Sequence, residues 1–139
     1  MIPCQLDPVP GRIVGGQPTA DDLAAFASAG GALVVNLRNT TEDLGYDEAS
    51  AAAALGLRYL SIPVAGAAGV TPDNARALAA AIAGVQGGVM VHCATGNRVG
   101  GLFALAAGLE GAPVDEAIAL GRAHGLVSLE AHVRGLLGS

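Results

Sequence analysis

The sequence predicts an α/β domain: a mainly parallel sheet of four to five strands, flanked by helices. Three observations carry this. Short β-branched runs recur, as at Leu33-Val34-Val35-Asn36-Leu37 and Val89-Met90-Val91. Longer Ala-rich stretches with helix start and stop signals lie between them. The two kinds of segment alternate along the chain, which is the pattern of strand–helix–strand units with parallel strands.

With 139 residues, one domain over 1–139 is expected. Residues 1–10 hold three prolines and read as an extended lead-in. Gly11 to Gly16, with Ile13 and Val14, reads as a short strand. Thr19 and Asp22 form a capping-box-like helix start; Leu23 and Phe26 supply the apolar face, and Gly30-Gly31 ends the helix. Leu33–Leu37 is a buried strand, and Asn39–Gly45 a polar loop. Asp47–Leu55 is an Ala-rich helix capped by Gly56. Arg58–Ile62 is a strand ended by Pro63. After a Gly/Ala loop at Ala65–Val70, Thr71-Pro72-Asp73 supplies an N-cap, a first-turn proline and a first-turn acid for a helix running to about Val85. Val89–Val91 is a strand that feeds into His92-Cys93-Ala94-Thr95-Gly96-Asn97-Arg98, then a helix to about Leu109. Helices near Val114–His124 and Ser128–Leu137 complete the chain.

Composition excludes several function classes. The chain is 52% hydrophobic and 14% charged, so disorder is excluded as its main state. A net charge of −5 argues against a basic nucleic-acid face and a polybasic membrane anchor. Aromatics are 3% and Trp is absent, so base-stacking platforms are not expected. All seven basic residues are Arg, which removes a Walker A lysine and a Schiff-base lysine. No apolar stretch is long enough to span a bilayer, and the first residues lack a signal-peptide pattern, so a cytoplasmic protein is expected. Cys4 and Cys93 do not make a disulfide framework, and Cys4 reads as an exposed spectator. His92, His124 and His132 show no metal-ligand spacing, so neither metal nor other cofactor is expected.

Chemistry concentrates where the strand at 89–91 meets the next helix. A loop there aims backbone N–H groups at one point, and the helix dipole adds partial positive charge. Gly96 lets the backbone curl around an anion, and Arg98 adds a planar fork for two oxygens. The same groups favour a thiolate at Cys93. The sum is a nucleophile in an anion cradle, with a small anionic or phosphorylated molecule as partner. Read without its neighbours, Cys93 would be a small core residue.

His92-Cys93-x-x-Gly96-x-Arg98 resembles the signature of cysteine-dependent phosphatases of the protein tyrosine phosphatase superfamily. More closely, the chain resembles the bacterial beta-lactamase-hydrolase-like phosphatase group. Gly15-Gly16-Gln17-Pro18, Val35-Asn36-Leu37-Arg38, Val99-Gly100-Gly101-Leu102 and Gly121-Arg122 to Leu126-x-Ser128-Leu129-Glu130 also carry that likeness, over about residues 10 to 137. It implies a cysteine-phosphatase-like fold with the Cys-bearing strand central. Cys93 would be the nucleophile, Arg98 would bind the transferred group, and the amides of Ala94, Thr95, Gly96 and Asn97 would bind its oxygens. His92 would support the loop.

Two departures bear on function. The broader superfamily sets one more residue between Cys and Arg than the four between Cys93 and Arg98, and Val99 holds the usual Arg position. This shorter loop is also the length that single-domain rhodaneses use, which carry sulfur as a cysteine persulfide. Second, the loop where the superfamily keeps its general acid, Pro63–Gly69, has no acid. Asp73 is the nearest candidate, beside its reading as a helix-cap acid; Asp43, Asp47 and Glu48 are others. Phosphomonoester hydrolysis, sulfur transfer and anion or partner binding without turnover are therefore the competing functions.

Among the remaining residues, Arg38 follows a strand at the end where α/β ligands bind. It reads as a second anion contact or as a surface partner of Glu42 or Asp43. Gln17 reads as a turn residue, His124 as a cation at a helix C-terminus, and His132 as part of a solvated face.

Overall fold

The computed structural model describes residues 2–39 and 45–138. Asp43 and Glu42, named above as a candidate acid and candidate partners of Arg38, lie outside these residues. Among the described residues, five strands and six α-helices alternate as follows: β1 Leu6–Val9, β2 Arg12–Gly15, α1 Ala20–Ser28, β3 Gly31–Asn36, α2 Glu48–Ala54 and β4 Arg58–Ser61. A 3₁₀ turn at Gly66–Gly69 precedes α3 Pro72–Ala83, β5 Gly88–His92, α4 Asn97–Leu109, α5 Val114–Ala123 and α6 Glu130–Leu136. The sheet order is β1-β2-β5-β3-β4, with β1 antiparallel to β2 and every other pair parallel. The expected α/β class and mainly parallel sheet are found.

The lead-in is more structured than expected, because β1 lies inside it. Pro10-Gly11 turns β1 into β2, with Gly11 at φ 78°. Pro8 is tolerated because β1 is an edge strand and needs no N–H there.

Alternation along β5 assigns the two faces of the sheet. Val89, Val91 and Cys93 enter one core with Val14, Val35, Leu102 and Leu105. Met90 faces the other core with Leu23, Phe26 and Val34. The α3–α4–α5 layer covers the first face, and α1 and α2 cover the second. The helix starts follow the local rules. Thr19 accepts from the Asp22 N–H while Asp22 Oδ2 accepts from the Thr19 N–H, a complete capping box. Thr71 caps α3 with Pro72 in its first turn. None of the described helices is long and apolar enough to cross a membrane.

His124 corrects its expected role. It lies at the C-cap of α5, but it is 1% exposed and is not a solvated cation. Its Nδ1–H donates to the Leu120 carbonyl at 2.8 Å, and its Nε2 accepts from Arg12 Nη1 at 3.1 Å. Its ring lies 4.2 Å from Phe103, over which the Arg12 guanidinium also stacks at 4.9 Å. Burial, then the nearby Arg12 charge, pushes its pKa below 6.5 despite the opposing Leu120 bond. His132 is also partly buried, with Nε2 at 3.1 Å from the Val70 carbonyl.

The lowered His124 pKa sets a pH dependence. The unfolded chain takes a proton that the folded chain refuses, so stability falls as pH drops below the unfolded value of about 6.5. The loss is at most about 1.4 kcal/mol per pH unit, and it ends below the folded pKa. Melting curves for wild type and His124→Gln between about pH 8 and pH 5 check this; the variant should show the shallower decline.

Candidate active site

Cys93 follows β5, the central strand, at the C-terminal edge of the parallel sheet, where α/β folds place ligands. Its loop runs to Gly96, the N-cap of α4, which sits at φ 96°. That left-handed turn aims the Gly96 N–H back at the Cys93 sulfur, donor to Sγ at 3.0 Å. The Cys93 residue is 1% exposed, whereas Ala94 and Thr95 are exposed at the surface of the loop.

Backbone contacts to β2 and to the residue after it hold the loop directly. The Cys93 N–H donates to the Gly15 carbonyl at 3.1 Å, and Gly16 bridges Thr95. A Cβ on Gly16 would lie 2.4 Å from the Ala94 carbonyl oxygen. On the far side, Gly125 has φ 107°, and a Cβ there would lie 2.7 Å from the Gly96 carbonyl. Gly100 packs so closely under Leu126 that a Cβ would lie 2.0 Å from its backbone nitrogen.

The sequence-derived site residues fall into three groups. Cys93, Ala94, Thr95 and Gly96 form one continuous loop, with Arg98 in the first turn of the helix it opens. Arg98 Nη1 donates to the Val64 carbonyl at 2.7 Å, which ties the start of α4 to the segment after β4. Asn97 is turned elsewhere: Oδ1 accepts from the Val127 and Leu129 N–H groups at 2.9 and 3.4 Å, and Nδ2 donates to Ser128 Oγ at 2.6 Å. Its side chain thus latches the segment between α5 and α6, leaving its backbone N–H to the loop. Asp73 lies in the first turn of α3 with its side chain 98% exposed, 3.7 Å from Arg76. Asp47 caps α2 through Ser50, which keeps its pKa below the usual carboxylate range.

Arg38 and His92 belong to a polar cluster on the other face of the sheet. His92 Nε2 lies 2.6 Å from Glu48 Oε2, and neither side chain has any exposure. Glu48 Oε1 accepts from Gln17 Nε2, and Gln17 Oε1 accepts from Arg38 Nη1 at 3.3 Å. Gln17 is therefore a connector and not only a turn residue. Asn36 Oδ1 accepts from the Arg38 N–H, while its Nδ2 donates to Tyr59 at 2.9 Å. Burial, and then the Glu48 charge, pushes the Tyr46 hydroxyl up to about 12. The Glu48–Gln17 link was not read from the sequence. The available signal was a single acid at the head of the Ala-rich run 48–54, with His92 placed before Cys93.

Residues 10–110 match the family described as "Beta-lactamase hydrolase-like protein, phosphatase-like domain". A beta-lactamase hydrolase-like protein of Xylella fastidiosa is 39% identical over 117 residues, covering 81% of this chain and 27% of its own length. The chain thus spans about a quarter of that relative. Among solved structures, a candidate phosphatase from Neisseria meningitidis superposes with a TM-score of 0.76 at 22% identity, over 96% of each chain. TpbA of P. aeruginosa, a variant in complex with pTyr, gives 0.64 at 19% identity, over 96% of this chain and 86% of its own. At these identities the two structures speak for the fold.

The close approach at Gly16 is testable by substitution. Gly16→Ala must move either β2 or the Cys93 loop, and is expected to destabilise the protein by about 1–3 kcal/mol. Urea unfolding of the variant checks this, with Gly84→Ala, where a Cβ meets nothing within 4 Å, as the tolerated control.

Proposed function

The chain belongs to the family of beta-lactamase hydrolase-like, phosphatase-like domains, and on that premise we propose that it hydrolyses a phosphoric monoester through a phosphocysteine at Cys93. The observation that carries this reading is the Gly96 N–H directed at the Cys93 sulfur at the start of α4. A thiolate there would be stabilised by a hydrogen bond and by the helix N-terminus.

In the first step the Cys93 thiolate attacks phosphorus. The S–P bond forms, the bond from phosphorus to the leaving oxygen breaks, and the electron pair leaves with that oxygen. Arg98 and the amides of Ala94, Thr95, Gly96 and Asn97 take the charge on the equatorial oxygens. In the second step water attacks phosphorus, the S–P bond breaks, the thiolate returns, and the water proton passes to solvent. The leaving oxygen takes its proton from solvent or from Asp73, in the first turn of α3. Because Pro63–Gly69 carries no acid, esters whose leaving groups need no protonation are the favoured substrates. Arg38 supplements the charge at the strand ends. The substrate class is a small anionic or phosphorylated molecule, in keeping with the pTyr bound by TpbA. Cys4 and Cys93 are both free thiols, and the cytoplasm is the proposed compartment. The reading treats the chain as one phosphatase-like domain.

A second reading has its own observation. The loop has four residues between Cys93 and Arg98, and Pro63–Gly69 has no acid. Transfer of a sulfane sulfur to Cys93 needs no acid for an alkoxide leaving group. The thiolate attacks the outer sulfur of the donor, and the donor leaves as sulfite or thiolate. The persulfide then passes that sulfur to cyanide or a thiol.

Two experiments separate these readings. An aryl phosphate should be turned over by wild type, and Cys93→Ser and Arg98→Ala should each lose at least about 10³-fold and 10²-fold in rate. Full activity in Cys93→Ser would overturn both readings. Intact-mass measurement after thiosulfate treatment tests the second: a one-sulfur adduct on wild type, absent from Cys93→Ser and removed by cyanide, would replace the phosphatase reading with sulfur transfer.

A further inference from the structure

We propose that Glu48 is a positioning residue for the Cys93 loop, a carboxylate whose two oxygens fix the two chain segments on which that loop rests. The proposal builds on the reading of the Cys93 loop as the functional site. Glu48 is the first residue of α2 and is 1% exposed. Its Oε2 meets His92 Nε2 at 2.6 Å, and its Oε1 accepts from Gln17 Nε2. His92 immediately precedes Cys93. Gln17 immediately follows Gly16, whose backbone bridges Thr95. One side chain therefore holds both the entry of the loop and the wall against which its middle lies.

A second observation shows how much depends on this contact. His92 Nδ1 is buried and has no hydrogen-bond partner among the described residues. Among the described residues, the Nε2 bond to Glu48 is therefore the hydrogen bond that orients the ring. If the ring turned, a buried carboxylate would lose a donor, which is strongly unfavourable. The fixed ring in turn fixes the backbone just before the sulfur. His92 also anchors that point from the main chain, its carbonyl accepting from the Leu37 N–H at 2.8 Å. Gln17 extends the arrangement to Arg38, so the clamp also sets where a second cation stands.

Hydrogen–deuterium exchange of the 93–98 amides tests the clamp without any substrate. Wild type is compared with Glu48→Gln, Gln17→Leu, His92→Asn and His92→Gln. Weakening the buried Glu48–His92 hydrogen bond should speed exchange in the loop by about tenfold in Glu48→Gln and His92→Asn. The side-chain amide of His92→Gln reaches the place of Nε2 and should recover most of that protection. A role in packing alone predicts no such rescue. If Glu48→Gln fails to fold, Gln17→Leu carries the same test at the half-buried wall. Loop exchange unchanged in folded Gln17→Leu and His92→Asn would overturn the clamp, as would His92→Gln exchanging as fast as His92→Asn. Protection of Cys93 from iodoacetamide by inorganic phosphate, measured on wild type, reports separately on the anion site. If phosphate fails to protect, the functional reading falls while the exchange data still decide the clamp.

Discussion

Around Cys93, backbone must approach backbone with nothing between. The end of β2 and the residue after it present Gly15 and Gly16 to the loop, Gly96 turns it, and Gly125 lies against its carbonyl. A methyl group at Gly16, Gly100 or Gly125 would fall within 2.7 Å of main-chain atoms, which cannot move aside as a flexible side chain can. This constraint explains why a chain so rich in glycine still has a defined site. It brings the sulfur, the Gly96 N–H and the first turn of α4 together. The polar cluster on the opposite face then holds the strand ends from which those glycines depart.

Much of the architecture is legible because local signals agree with one another. The β-branched run of β3, the Thr71-Pro72 start of α3 and the Thr19–Asp22 box each appear where their residues place them. The strand–loop–helix at 88–97 is legible for the same reason: a buried strand, a glycine and a cation fall together. β1 was missed because its prolines read as loop, although Pro10-Gly11 is a turn signal and an edge strand accepts Pro8. The Glu48–His92 contact was not legible because it joins residues 44 apart in sequence. Such a pairing depends on how α2 crosses the sheet, which periodicity cannot report. His124 failed differently. Its C-cap position was right, but the Arg12 and Phe103 side chains that bury it come from β2 and α4.

The charges divide by function and not by number. Arg122, Arg134, Glu130 and Asp115 form a peripheral network that ties α5 to α6. Such exposed pairs contribute little each. Arg38 instead follows β3 and Arg98 lies in the first turn of α4, bonded to Gln17 and to the Val64 carbonyl respectively. Asn97 contributes by connection. It joins the first turn of α4 to residues 127–129, so that the rim of the loop is continuous with the last helical pair.

The two margins of the sheet carry one more consequence. β1 and β4 are each four residues long, β1 contains Pro8, and β4 begins at Arg58. Short margins with a proline or a charge are poor templates for a strand from another molecule. In a chain that is half apolar, with a sheet open on both sides, both margins thus carry features that disfavour edge-to-edge pairing. The hairpin that the prolines conceal in the sequence supplies one of these two margins.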